Sequence, residues 1–399
     1  MDELHHTARR FITLYDQALK ARGIHVLLGI EQEFCMQRDP GAMERMKGLN
    51  SEEKISEQMA ARAERAFHDA PDRIAGLLKK DIKPGPVERF YRERVLFPKL
   101  QSYSKYEITT TPSEPLRAAG RVESFRRFLR SHAQDEAVVG KGKKEWRVRK
   151  IEFPAYDDAR AMTYGMHINV SLQYLPPGSK KDQAPIPLMG TGLASELQRE
   201  LVADHIIAGL KKYCASEMLL IADTPAAYDR FHRNNLNFAP HTLSKGFQKR
   251  PDPYLKEYRN PAKHRVEFRL PNAGSDPCLS TLMVMAALYD QFHALPVGAA
   301  RGDNDKTLLD RNFALALEHA RHETAGPDEL CKTLDEARER FASSDRLASS
   351  MKKVATEYGT AADIAAAAEF KAEVLSRSSR LESLANPVTI ASSGQERKR

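Results

Sequence analysis

Apolar and polar residues alternate with a period of two in four separated stretches of the chain. In RVEFRLP (265–271), Arg265, Glu267 and Arg269 share one side of an extended segment, and Val266, Phe268 and Leu270 share the other. In GIEQEF (29–34), Glu31 and Glu33 oppose Ile30, Phe34 and the flanking Leu28. In YEIT (106–109), Glu107 and Thr109 oppose Tyr106 and Ile108, and in GMHINVSL (165–172), His167, Asn169 and Ser171 oppose Met166, Ile168, Val170 and Leu172. The pattern predicts strands over 25–36, 105–111, 146–153, 165–174 and 265–271.

Helical spacing replaces this alternation elsewhere. An amphipathic helix is predicted over 3–22, a polar helical excursion over 51–80, and helices over 114–134 and 192–222. After RVEFRLP comes the apolar run DPCLSTLMVMAALYDQFHAL, with Asp276 as an N-cap and Pro277 at the first helical position. Beyond residue 301 the chain is charged, alanine-rich and helical in spacing, and its end resembles a disordered tail. Four regions follow: an N-terminal helix (1–23), a main unit (24–300) with a helical insertion near 51–80, a helical C-terminal region (301–382), and the tail (383–399). Strands and helices mix without regular βαβ alternation. That favours an α+β fold, with a curved antiparallel or mixed sheet, helices on its apolar face and a polar concave face.

Composition narrows the class. A chain of 399 residues, 41% hydrophobic, can bury a substantial core. Cys35, Cys214, Cys278 and Cys331 lie far apart with no CxxC pair, as free thiols in a reducing compartment would. The charged N-terminus lacks the apolar core of a signal peptide, and no apolar run reaches membrane-spanning length, so the chain reads as cytoplasmic. A net charge of +8 and the basic run GKGKKEWRVRK (140–150) could attract polyanions, but no zinc-ligand spacing or nucleic-acid module accompanies them.

The chemistry lies on the shared polar parity. Taken singly, His167 reads as a core histidine, Glu107 as a surface charge, and Asn169 and Ser171 as cross-strand partners. Together, if the strands are neighbours about 4.8 Å apart, Glu31, Glu33, Glu107 and Glu267 crowd negative charge that demands cations. Carboxylates with one imidazole suit hard divalent ions such as Mg2+ or Mn2+. Arg265 and Arg269 add donors for phosphate or carboxylate, and metals with arginines describe a phosphoryl-transfer site.

At this point the chain resembles a known family. The ordered set GIEQEF, YEI, GMHINVSL and RVEFRLPNAGSDPCL, spanning residues 29–279, is similar to the GxExEF, QxE, GMHxxxSL and RxExRxPD elements of the glutamine synthetase catalytic domain and its carboxylate-amine ligase relatives. The resemblance implies that Glu31, His167 and Glu267 hold a metal bridging nucleotide phosphates, with Glu33 and Glu107 on a second metal beside the substrate carboxylate. It implies that Arg269 grips that carboxylate or an acyl phosphate, and that Arg265 and Ser171 lie on the nucleotide side. Arg250, in SKGFQKRPDP, falls at about the place of a phosphate-binding arginine. The implied reaction uses ATP and Mg2+ or Mn2+ to activate a carboxylate, glutamate or glutamate-like, for attack by an amine. A peptide or protein carboxylate and a homo-oligomeric assembly are compatible with it.

Departures from the family pattern qualify the reaction. Lys99 stands where the family has a further metal-binding carboxylate, with Glu93 as a nearby substitute, and Met162 and Thr163 replace an asparagine-glycine pair before GMH. In LNFAP, Phe238 occupies the place of an acid that helps capture ammonium, and only 28 residues precede GIEQEF, too few for the family's N-terminal β domain. An amine other than ammonia is therefore expected. The alternatives are a catalytically degenerate nucleotide-binding or regulatory protein of the same fold and, last, a guanidino kinase, for which no strand-borne cysteine motif is visible.

Overall fold

The structure is a computed structural model, and it describes residues 3–38, 89–91, 103–134, 138–139, 146–154, 156–157, 162–175, 178–179, 183–189, 196–232, 245–246, 255–258, 264–294 and 330–385. In chain order the elements are α1 (Glu3–Lys20), β1 (Ile24–Arg38), β2 (Arg89–Tyr91), β3 (Tyr103–Thr109), α2 (Pro115–Gln134), β4 (Val138–Val139) and β5 (Trp146–Glu152). They continue with β6 (Tyr156–Asp157), β7 (Met162–Thr163), β8 (Met166–Tyr174), β9 (Ile186–Pro187), α3 (Glu196–Ser216) and α4 (Pro225–His232). The last are β10 (Lys245–Gly246), β11 (Leu255–Tyr258), β12 (Arg265–Phe268), α5 (Pro277–Phe292), α6 (Leu334–Ser343), α7 (Arg346–Tyr358) and α8 (Ala361–Ala385). The helical insertion expected near 51–80 and residues 386–399 of the expected tail lie outside the described residues, while 383–385, expected to begin that tail, instead end α8.

The main sheet runs β10-β11-β12-β8-β1-β3-β2, with β5 added at the end of β1, and is antiparallel except where β10 meets β11. The four strands sharing a polar parity are therefore consecutive neighbours: β12, β8, β1 and β3. The apolar parity of β1, β8 and β12 (Val26, Leu28, Ile30, Ile168, Val170, Val266 and Phe268) enters one continuous core with residues from α1, α2, α3 and α5. Helices thus cover one face of an antiparallel sheet, the α+β plan that the sequence predicts.

Helix α5 runs through the middle of that core. Asp276 caps it, accepting hydrogen bonds from the amides of Cys278 and Leu279, and Pro277 takes the first turn, where no amide donor is needed. Fourteen of its side chains are buried, as expected of a helix apolar all round. Helix α1 lays Leu4, Ala8, Phe11, Ile12, Tyr15 and Leu19 into the same core, and α6 to α8 contribute Phe341, Met351, Val354 and Phe370. Gly23 turns the chain from α1 into β1 with φ of 81°; a Cβ there would lie 2.5 Å from the Tyr174 ring, so only glycine fits. No described helix is long and apolar enough to cross a membrane. Cys214, Cys278 and Cys331 are free, buried thiols.

One polar network crosses the helical layer. Asp290 on α5 accepts from the Tyr213 hydroxyl and from Ser350 Oγ, each at 2.8 Å, and the buried Tyr15 hydroxyl donates to Ser350 at 3.0 Å. Asp290→Ala leaves the Tyr213 hydroxyl without its acceptor, and the expected loss of stability is about 2–3 kcal/mol. A shift of the urea midpoint measures it, and an unchanged midpoint would contradict a structural role for this network.

Candidate functional site

On the polar parity, register brings the predicted residues together. Glu31 on β1 stands directly across from His167 on β8, and Glu267 on β12 across from Asn169. His167 Nδ1 lies 3.1 Å from Glu267 Oε1 and 3.5 Å from Glu31 Oε2. Asn169 donates to Glu31 Oε1 at 2.9 Å and accepts from Arg265 Nε at 2.5 Å, while Arg269 Nε stands 3.4 Å from Glu267. Each acid thus has a second contact that fixes its orientation.

This face is not the half-solvated surface of an ordinary amphipathic strand. His167 is 4% exposed and Glu267 2% exposed. Burial alone would depress the His167 imidazole; its contacts to Glu267 and Glu31 outweigh that and raise it to about 9. The two carboxylates thus favour the protonated form of His167.

The donor set fits a hard divalent ion. One ligand atom each from Glu31, His167 and Glu267 lies within 4.8 Å of the others. Magnesium bonds of about 2.0–2.1 Å to oxygen would bridge such a group after small side-chain shifts. Glu33, on the same parity as Glu31, is buried and accepts from the Gly165 amide at 2.6 Å. The backbone of β3 sets Glu107 opposite Glu33.

A cleft of about 400 Å³ opens beside this trio. Its polar wall carries Glu31, Asn169, Ser171, His264 and Arg265, and its apolar wall carries Leu27, Pro112, Leu172, Pro187 and Met189. Gly29 lies on the polar parity and lines the cleft; any side chain there would project toward Thr110, Pro112 and Asn169. Arg250, Lys99, Glu93 and Phe238 lie outside the described residues.

Several residues of this region carry no sequence signal. Thr110 is buried, and its hydroxyl accepts from the Ile30 amide at 2.9 Å. His264 pairs with Glu257 at 2.9 Å in a buried contact between β11 and the start of β12. Gln32 sits on the apolar parity of β1 yet is fully buried, because Arg126 of α2 donates to its carboxamide oxygen and to the backbone oxygens of Ala273 and Ser275. That guanidinium holds the loop joining Arg269 to the cap of α5. It is visible only once α2 is packed on the sheet.

A family model described as the glutamine synthetase catalytic domain matches residues 6–375. Among solved structures, one described as a novel glutamine synthase homolog superposes with a TM-score of 0.57 at 18% identity, covering 96% of this chain and 72% of that one. GmaS without ligand gives 0.57 at 17% identity, covering 96% of this chain and 76% of that one; GmaS in an ADP complex gives 0.56 at 17% with the same coverage. Plasmodium falciparum glutamine synthetase gives 0.57 at 14% identity, covering 95% and 78%. At such identities the likeness to solved structures establishes the fold. No curated protein matches the chain.

Proposed function

Because the chain belongs to the glutamine synthetase catalytic-domain family, we propose that it is an ATP-dependent ligase joining a glutamate-like carboxylate to an amine. The observation that carries this reading is the Glu31–His167–Glu267 group, with His167 and Glu267 buried and Glu31 half-buried at the edge of a small-molecule-sized cleft. GmaS, a solved structure of the same fold, has been captured with ADP, which supports a nucleotide as one occupant.

Glu31, His167 and Glu267 would hold a divalent ion, Mg2+ or Mn2+, which when bound supplies charge neutralisation on nucleotide phosphates. Glu33 and Glu107 are assigned to a second ion. Asn169, tied to both Glu31 and Arg265, sets the angle of the acid and turns the guanidinium along the cleft. Arg265 and Ser171 then line the nucleotide side, and Arg269, beside Glu267, meets the anionic group being activated. Arg250 is assigned to phosphate from the sequence alone. Preorganised cations of this kind stabilise charge that develops as the phosphoryl group moves to the carboxylate. The amine then displaces phosphate, giving amide, ADP and phosphate. Phe238, apolar where an ammonium-capturing acid is expected, favours an amine other than ammonia.

The test incubates the protein with ATP, Mg2+, glutamate and a panel of amines. ADP release dependent on both co-substrates, with a product mass equal to acid plus amine minus water, is the expected result. ADP released equally with either co-substrate omitted would remove the ligase reading. Nucleotide binding without ADP release would favour the regulatory alternative.

A further inference from the structure

A second convergence of unlike donor groups lies on the helical side of the sheet. His5 from the first turn of α1, Glu123 from the middle of α2, and Asp276 and Cys278 from the start of α5 each present one ligand atom within 4.8 Å of the others. None of them belongs to the polar face described above. We propose that this cluster is a zinc site that pins the first turn of α1 to α2 and α5.

The chemistry selects the ion. A thiolate, an imidazole and carboxylate oxygen form a mixed soft and borderline set, which suits Zn2+ rather than Mg2+ or Ca2+. The spacing agrees. Zinc bonds of about 2.0 Å to nitrogen or oxygen and about 2.3 Å to sulfur place tetrahedral ligands roughly 3.3–3.5 Å apart. His5 Nε2 and Cys278 Sγ each lie 3.0 Å from Glu123 Oε1, so these two pairs reach ligand spacing by opening a few tenths of an ångström, and the His5–Cys278 pair lies within 4.8 Å. The Cys278 thiol now donates to Glu123, so a proton stands where the ion would sit.

Outer contacts hold the ligands in place. Asp276 Oδ2 lies 3.6 Å from His5 Nδ1, behind the imidazole as seen from Glu123, where a carboxylate fixes ring orientation in carboxylate–histidine–zinc arrangements. The other Asp276 oxygen accepts from the amides of Cys278 and Leu279. Arg9 holds Glu123 Oε2 at 3.3 Å and Arg377 holds Asp276 at 3.1 Å. Ligation is therefore assigned to His5 Nε2, Glu123 Oε1 and Cys278 Sγ, with water completing the tetrahedron and Asp276 as the orienting carboxylate.

Cobalt titration of the chelator-stripped full chain tests this assignment. The expected result is thiolate-to-cobalt charge-transfer absorption that survives in Glu267→Gln and disappears in Cys278→Ser. His5→Gln, at a partly exposed position, serves if Cys278→Ser fails to fold, and it should weaken cobalt binding strongly with unchanged circular dichroism. Asp276→Asn keeps a capping oxygen and should lower affinity about 10–100-fold. Absence of the band from the wild-type chain, its persistence in folded Cys278→Ser, or unchanged affinity in His5→Gln would each overturn the proposal.

Discussion

Glu267→Gln is expected to lower metal-dependent ADP formation by at least about 100-fold, the scale on which one preorganised charged group contributes to such a transition state. The substitution keeps volume and hydrogen-bonding capacity at a residue that is 2% exposed, so the core stays filled while one negative charge is removed. It acts on two neighbours at once, since Glu267 faces His167 at 3.1 Å and Arg269 at 3.4 Å. Steady-state rates across a Mg2+ series separate the effects. A loss that excess metal fully restores reflects metal affinity alone, and an activity within threefold of wild type would remove Glu267 from the site.

The same variant makes a pH-dependent signature in metal-free protein. The folded-state value of His167, raised to about 9, lies above the ordinary imidazole value of 6.5. Its stabilising contribution is therefore fully present below about pH 6.5 and fades as pH rises through about 9. In chelator-treated samples, the gap in melting temperature between wild type and Glu267→Gln should accordingly narrow over that window. A gap that widens would place the proton elsewhere.

The strand half of this site was legible because parity on a strand is a local property. Once Glu31, His167 and Glu267 occupy the polar parity of adjacent strands, pairing puts them on one face, while the register that sets Glu31 opposite His167 is added by the sheet itself. Helix α5 was legible for a similar reason, since Asp276 and Pro277 mark its start within two residues. What escaped depends on packing between distant elements. Gln32 reads as a polar interruption in an apolar row, and Arg126 is one of two consecutive arginines in ESFRRFLR; nothing local distinguishes the buried one from its exposed neighbour Arg127. Thr110, Pro112 and His264 gain their place at the cleft only from how chain segments return to the sheet.

Arg126→Met is expected to cost about 3–5 kcal/mol, because hydrogen bonds from a charged donor are worth about 1.5–3 kcal/mol each and stranded buried acceptors add their own penalty. Arg126 is 5% exposed and donates at 2.6 Å to the backbone oxygens of both Ala273 and Ser275, and at 2.9 Å to Gln32. Its guanidinium also lies 5.3 Å from the Phe153 ring centroid, so methionine retains only the packing of the stem. Gln32 holds the same loop through Ala273 at 3.1 Å, which makes the two residues one unit. Gln32→Ala combined with Arg126→Met should therefore destabilise by less than the sum of the single changes. Since the loop connects Arg269 to Asp276, ADP formation should fall along with the urea midpoint, even under conditions where the variant is folded. Strict additivity, or a single-variant loss below about 1 kcal/mol, would show that the loop keeps its shape without this guanidinium.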